Sequence, residues 1–167
     1  MKLRIAAFTL ALCCIAAHAA PARPQIAPFE AASLDKIVTA HKGRPFLLLV
    51  WSLDCAFCKA SMAELARQQR MGSRLPVITL ATDPAGDADA KAQLAERLRG
   101  AGLTSTNYAF GDAPPEQLRY AVDPNWHGEL PRSYWFDAQG KRRAYSGVLT
   151  AEVIAKFTAD NPAPTPQ

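Results

Sequence analysis

The sequence predicts an α/β domain: a mixed sheet, parallel strands completed by antiparallel ones, with helices on both faces. Three observations predict it. Two unbroken apolar runs, Phe46 to Val50 and Leu75 to Ala81, read as buried strands, and a stretch with helical periodicity follows each. Two further strand-like runs flank Asp137-Ala138-Gln139-Gly140, a turn sequence that predicts a hairpin near the end. At 167 residues the chain holds one domain with a proper core and needs no disulfide staples.

Residues 1–19 read as a secretory signal peptide. Lys2 and Arg4 form its positive end, and Ile5 to Ala17 is an apolar run too short for a bilayer span of roughly 20 residues. Ala17-His18-Ala19 offers small residues where a signal peptidase reads them, and Pro21 disfavours a cut one residue later, so Ala20 is the expected first mature residue. Mass spectrometry of protein purified from a secreting host should find Ala20 at the N-terminus; a chain retaining residues 1–19 contradicts the cleavage. Loss of Lys2 and Arg4 lowers the formal charge from +4 to +2, too little to point to nucleic acid or an anionic membrane. Cys13 and Cys14 leave with the leader and follow no lipobox pattern. Only Cys55 and Cys58 remain, in an oxidising compartment, the periplasm.

Residues 20–28, with Pro21, Pro24 and Pro28, read as a Pro-rich flexible or extended lead, and 29–160 as the folded domain. Leu34, Ile37, Val38 and His41 mark an amphipathic helix within Phe29 to His41, stopped near Gly43 and Pro45. Pro45 to Ser52 is the first buried strand. Cys58, Met62, Leu65 and Ala66 form one helical face, ended by Met71-Gly72. After the strand ending at Ala81, Asp83-Pro84-Ala85-Gly86 reads as a turn and Asp87 as the cap of a helix with Leu94, Ala95 and Leu98 inward, stopped by Gly100 and Gly102. Thr104 to Phe110 suggests a third strand and Pro114 to Ala121 a short helix. Arg132 to Asp137 and Lys141 to Val148 form the hairpin, with Arg142-Arg143 on a solvated strand edge. Thr150 caps a final helix with Val153, Ile154 and Phe157 inward; 161–167 is a disordered Pro-rich tail.

The chain is organised around Cys55-Ala56-Phe57-Cys58, between a buried strand and a helix. At a helix start, unpaired backbone N–H groups and the helix dipole favour the thiolate of the first cysteine. The second, one turn in, is close enough to displace whatever the first has attacked. A two-residue loop constrains little of the unfolded chain, so the pair reads as chemistry and not as a staple.

Three separated features coincide: Trp51 with Cys55-x-x-Cys58, then Gly128-Glu129-Leu130-Pro131 before a strand, then the hairpin from Phe136 through Gly147. Together they resemble the thioredoxin superfamily, most closely the periplasmic TlpA-type thiol–disulfide oxidoreductases. The resemblance covers roughly residues 30–158 and implies a thioredoxin-like fold in which Asp83 to Phe110 supplies an extra helix–strand insertion. It implies Cys55 as the attacking and Cys58 as the resolving cysteine. It implies Pro131 as a cis-proline facing the disulfide, and Leu130 as a presenter of backbone groups to an extended substrate. Trp51 and Phe57 are candidates to floor a substrate groove, with core packing the favoured reading for Trp51 and exposure in the middle of the motif the argument for Phe57. Four positions depart from the pattern. Phe57 replaces a proline, Asp54 replaces an aromatic and opposes thiolate formation, Leu49 stands where thioredoxin has a buried acid, and Ala56-Phe57 lacks a Glu.

The implied function is reduction of protein disulfides by dithiol exchange, with no cofactor and no metal. Its partners are protein thiols and disulfides and a membrane protein as electron donor; neither nucleic acid nor membrane insertion after signal cleavage is expected. The competing reading is a non-catalytic binding or copper-handling module of the same fold. Zinc would want four ligands, and His41 and His127 are not at ligand spacing. His127, four residues before Pro131, is a loop histidine near the site, and His41 a dipole partner at a helix end.

Overall fold

The computed structural model describes residues 24–159; the leader assigned to 1–19 and the tail assigned to 161–167 lie outside the described residues. In chain order the elements are β1 (Ile26–Phe29), α1 (Ser33–Ala40), β2 (Phe46–Trp51), α2 (Ala56–Arg70), β3 (Val77–Pro84), α3 (Ala88–Ala101), β4 (Thr106–Phe110), α4 (Pro115–Val122), β5 (Arg132–Phe136), β6 (Arg142–Ser146) and α5 (Ala151–Ala159). They build one six-stranded sheet of order β1-β4-β3-β2-β5-β6. The first four strands in that order run parallel, and β5 and β6 complete the sheet antiparallel. The mixed α/β class read from the sequence is the one observed.

All six residues of β2 are buried, as a strand covered on both faces requires. Leu47, Leu49 and Trp51 point to one face, with Met62, Leu65 and Ala66 of α2, Leu94 and Leu98 of α3, and Ile154 and Phe157 of α5. Phe46, Leu48 and Val50 point to the other, with Leu34 and Ile37 of α1 and Leu118 and Val122 of α4. Phe46 stacks on Phe136 across the β2–β5 pair, with ring centroids 4.4 Å apart. No helix of the described residues is long and apolar enough to cross a membrane.

Four readings need correction. Residues 26–28 of the supposed lead, with Phe29 from the supposed helix, form β1, which shortens the first helix to α1. The strand carries a proline because it lies at the sheet edge, where only one side is hydrogen-bonded, and Ile26 and Phe29 are buried while Ala27 and Pro28 face outward. The Asp83-Pro84 turn belongs to β3, which runs on through an irregularity between Ala81 and Pro84. Gly100 does not stop α3. Gly102 alone does, at φ +62°, a left-handed conformation that favours glycine. Arg142 and Arg143 lie on the edge strand β6, as expected, but half-buried against other groups and not simply solvated. Arg142 bonds the carbonyl of Val122 and the carboxylate of Asp123, and Arg143 lies 4.5 Å over the Phe157 ring.

The predicted caps are present. Asp87 accepts from the N–H of Ala90 at 2.8 Å, and Thr150 Oγ1 from that of Val153 at 3.3 Å, bonds worth about 1 kcal/mol each. Ser61, fully buried on α2, accepts from the N–H of Leu149 at 3.0 Å and ties the start of α5 to the helix that carries the cysteines.

Candidate active site

The chain leaves the sheet at Trp51, crosses Ser52 to Asp54, and enters α2 with Cys55 as the N-cap. Cys55 Sγ accepts from the N–H of Cys58 at 3.1 Å, so the sulfur takes the place a capping oxygen usually holds at a helix start. Cys55 and Cys58 are joined in a disulfide, with an S–S distance of 1.98 Å and Cα atoms 5.3 Å apart. The two sulfurs differ in access. Cys58 is 1% exposed on the core face of α2, whereas Cys55 is only half-buried.

The peptide bond between Leu130 and Pro131 is cis. Pro131 directly precedes Arg132, which pairs with Val50 in the register of β2 and β5; the bond therefore lies at the end of the sheet from which β2 runs into the cysteine loop. Leu130, Leu53 and Cys55 all pack against the apolar cluster that contains Trp51 and Cys58.

The loop that carries Leu130 is fixed from beneath. Trp126 Nε1 donates to the carbonyl of Glu129 at 3.0 Å, and Gly147 N–H donates to that of Pro131 at 2.9 Å. The Glu129 carboxylate accepts from Arg132 at 2.8 Å and from the Ser146 hydroxyl at 2.7 Å. Desolvation pushes its pKa up, but the Ser146 bond, its own amide and Arg132 outweigh that and leave it below the ordinary glutamate value. Asp123, 5% exposed, accepts from Arg132 at 3.3 Å and from Arg142 at 3.2 Å. Both guanidinium groups lie over the Tyr134 ring, and burial pushes the Tyr134 phenol up to about 12.

The other predicted site residues fall out as follows. Phe57 is 68% exposed beside the disulfide. Pro131 is buried and Leu130 half-buried. The groove-floor candidacy of Trp51 must be corrected in favour of core packing: at 1% exposure its ring offers no face to a substrate. His127 is exposed in its loop, and His41 caps α1, with Nδ1 2.9 Å from the carbonyl of Ile37.

Sequence reading missed Asp83 and Arg97. The Asp83 carboxylate accepts from the N–H of Leu53 at 3.0 Å, and Arg97 of α3 donates to the Leu53 carbonyl at 3.4 Å. Two charged side chains thus hold both backbone groups of a residue two positions before Cys55. The clue available was register: Asp83 lies two residues beyond Ala81, the partner of Trp51. Burial raises the Asp83 pKa and Asp54 adds to the rise, against the Leu53 N–H and Arg97, which lower it. The folded state therefore holds this proton more tightly than the unfolded chain, and stability falls as pH climbs from the ordinary aspartate value through the raised one. Asp83→Asn keeps an acceptor for Leu53 and removes that slope. Urea midpoints from pH 4 to 7 should show the wild type losing ground to the variant as pH rises; a difference constant with pH contradicts the assignment.

Strand order, helix placement and the position of the Cys-x-x-Cys turn make this a thioredoxin-like fold, with β4 seated between β3 and the edge strand β1. No family model and no curated protein matches the chain. Solved structures do. One is a secreted disulfide oxidoreductase of Mycobacterium tuberculosis homologous to E. coli DsbE, at 17% identity and TM-score 0.55, covering 73% of this chain and 85% of that one. A DsbF homologue from Corynebacterium diphtheriae matches at 18% and 0.57, covering 74% and 75%. A thiol-disulfide isomerase from Corynebacterium glutamicum matches at 18% and 0.56, covering 76% and 86%. The fold expected from the sequence resemblance is thus shared with thiol–disulfide oxidoreductases.

Proposed function

We propose that this chain is a periplasmic thiol–disulfide oxidoreductase that reduces protein disulfides through Cys55 and Cys58. The observation that carries the reading is the asymmetry of the pair: an accessible sulfur capping a helix, bonded to a buried one a turn further in. In the dithiol form, the Cys55 thiolate attacks one sulfur of a substrate disulfide. A mixed disulfide forms and the other substrate sulfur leaves as thiolate. The Cys58 thiolate then attacks Cys55 Sγ, which releases the second substrate thiolate and regenerates the internal disulfide. Two electrons pass from the cysteine pair to the substrate. A membrane protein that supplies electrons would return the pair to the dithiol.

In this reading residues 1–19 are the export signal and 29–160 the working domain, with the sheet extended back to Ile26. Leu130 offers backbone groups to an extended substrate, and Phe57 an exposed apolar contact beside the disulfide. Equilibration with glutathione buffers tests the direction of flow. A potential near about −270 mV supports a reductant, and one near about −120 mV makes the protein an oxidant.

A further inference from the structure

The insertion gives the molecule a groove that sulfur exchange at Cys55 does not itself require. The groove lies between the first two turns of α2 and the second half of α3, has a volume of about 530 Å³, and is lined by Leu53, Lys59, Met62, Ala63, Arg97 and Gly100, among others. Neither cysteine lines it, but two of its lining residues flank the pair in sequence: Leu53 stands two residues before Cys55 and Lys59 directly follows Cys58. Ala63 lies five residues beyond Cys58, about 7.5 Å along the helix. That span matches roughly two to three residues of extended chain.

Two features indicate what lies in it. Gly100 has an ordinary helical backbone, and a Cβ there would meet nothing within 4 Å. No contact within the chain calls for glycine, which in a helix costs about 1 kcal/mol relative to alanine. The missing side chain leaves the groove wall low at this point. The lining itself carries more positive than negative charge, with the Asp83 carboxylate behind it on the N–H of Leu53. Lys59 and Arg97 are cationic, and the one acid of the lining, Glu96, is ion-paired to Arg99.

We infer that this groove is a substrate subsite. It takes the residues next to the attacked cysteine of a protein disulfide, with an apolar side chain against Met62 and Ala63 and a carboxylate between Lys59 and Arg97. The inference rests on the reading of Cys55 as the nucleophile.

The test uses two peptides, each with its cysteine in a mixed disulfide with a coloured aromatic thiol. One carries Leu and Glu within three residues on both sides of the cysteine, the other Ser and Lys. The ratio of their second-order rates with the reduced protein cancels any change in the intrinsic reactivity of Cys55. Wild type should prefer the Leu/Glu peptide by about tenfold, and Gly100→Leu, which fills the groove, should cut the preference below about twofold. Lys59→Glu should turn the charge part of the preference around, and serves as an independent arm should Gly100→Leu fold poorly. Equal rates with both peptides in wild type, or a preference that survives both substitutions, overturns the subsite and leaves the exchange chemistry standing. Failure of wild type to release the thiol from either peptide overturns the proposed function, and the subsite with it.

Discussion

Cys55→Ser is expected to lower disulfide reduction by at least about 1,000-fold, while Cys58→Ser retains the first step and accumulates a mixed disulfide with substrate. The difference follows from access. Cys58, 1% exposed beneath the first turn of α2, cannot reach an external disulfide in place of Cys55, so the first variant has no substitute nucleophile. In the second variant Cys55 still caps the helix and still attacks, but nothing displaces the bound substrate. Both variants should fold, because a bond that closes a two-residue loop restricts the unfolded chain little. Turnover of a protein disulfide and mass analysis of the trapped species check the pair of outcomes. Wild-type turnover in Cys55→Ser contradicts the assignment of the nucleophile.

Asp123→Ala should destabilise the fold by about 3 kcal/mol, the low end of the range for removing one partner of a buried ion pair. Asp123 is shared by two arginines whose side chains are 14% and 34% exposed, so its loss leaves Arg132 with Glu129 as its one carboxylate partner beside the Ser146 hydroxyl, and Arg142 with the Val122 carbonyl, both still over the Tyr134 ring. Water reaches Arg142 and softens that part of the cost, which places the estimate at the low end. The midpoint of urea unfolding at unchanged slope measures it. A loss below about 1 kcal/mol would class the cluster with surface ion pairs. The same cluster holds Arg132 next to Pro131, so it bears on the loop that carries Leu130 as well as on stability.

Local signals were legible and long-range ones were not. The β2 run, the Cys-x-x-Cys turn, the inward face of α2 and the Asp87 cap depend on residues within a few positions of one another, and each was readable from spacing alone. The strand β1 was not, because two buried residues separated by Ala27-Pro28 carry no alternation, and its pairing partner lies some 80 residues away at Asn107 to Phe110. Asp83 read as part of a turn because its partner, the N–H of Leu53, comes from a neighbouring strand end. Arg142 read as solvated because Asp123 is 19 residues distant. Trp51 is a different case: of its two readings, groove floor and core, the alternation of β2 selects the core, with Leu47 and Leu49. Tertiary contacts decided β1, Asp83 and Arg142, and no local pattern encodes those three; the burial of Trp51 was readable from strand alternation.

The most direct test of the two-cysteine account is site-resolved alkylation of the reduced protein. Limiting iodoacetamide is applied at neutral pH and the labelled peptides are identified by mass. A helix-capping, accessible thiolate at Cys55 beside a buried Cys58 predicts label on Cys55 almost alone. Label on Cys58 in preference to Cys55, or equal label on both, contradicts it.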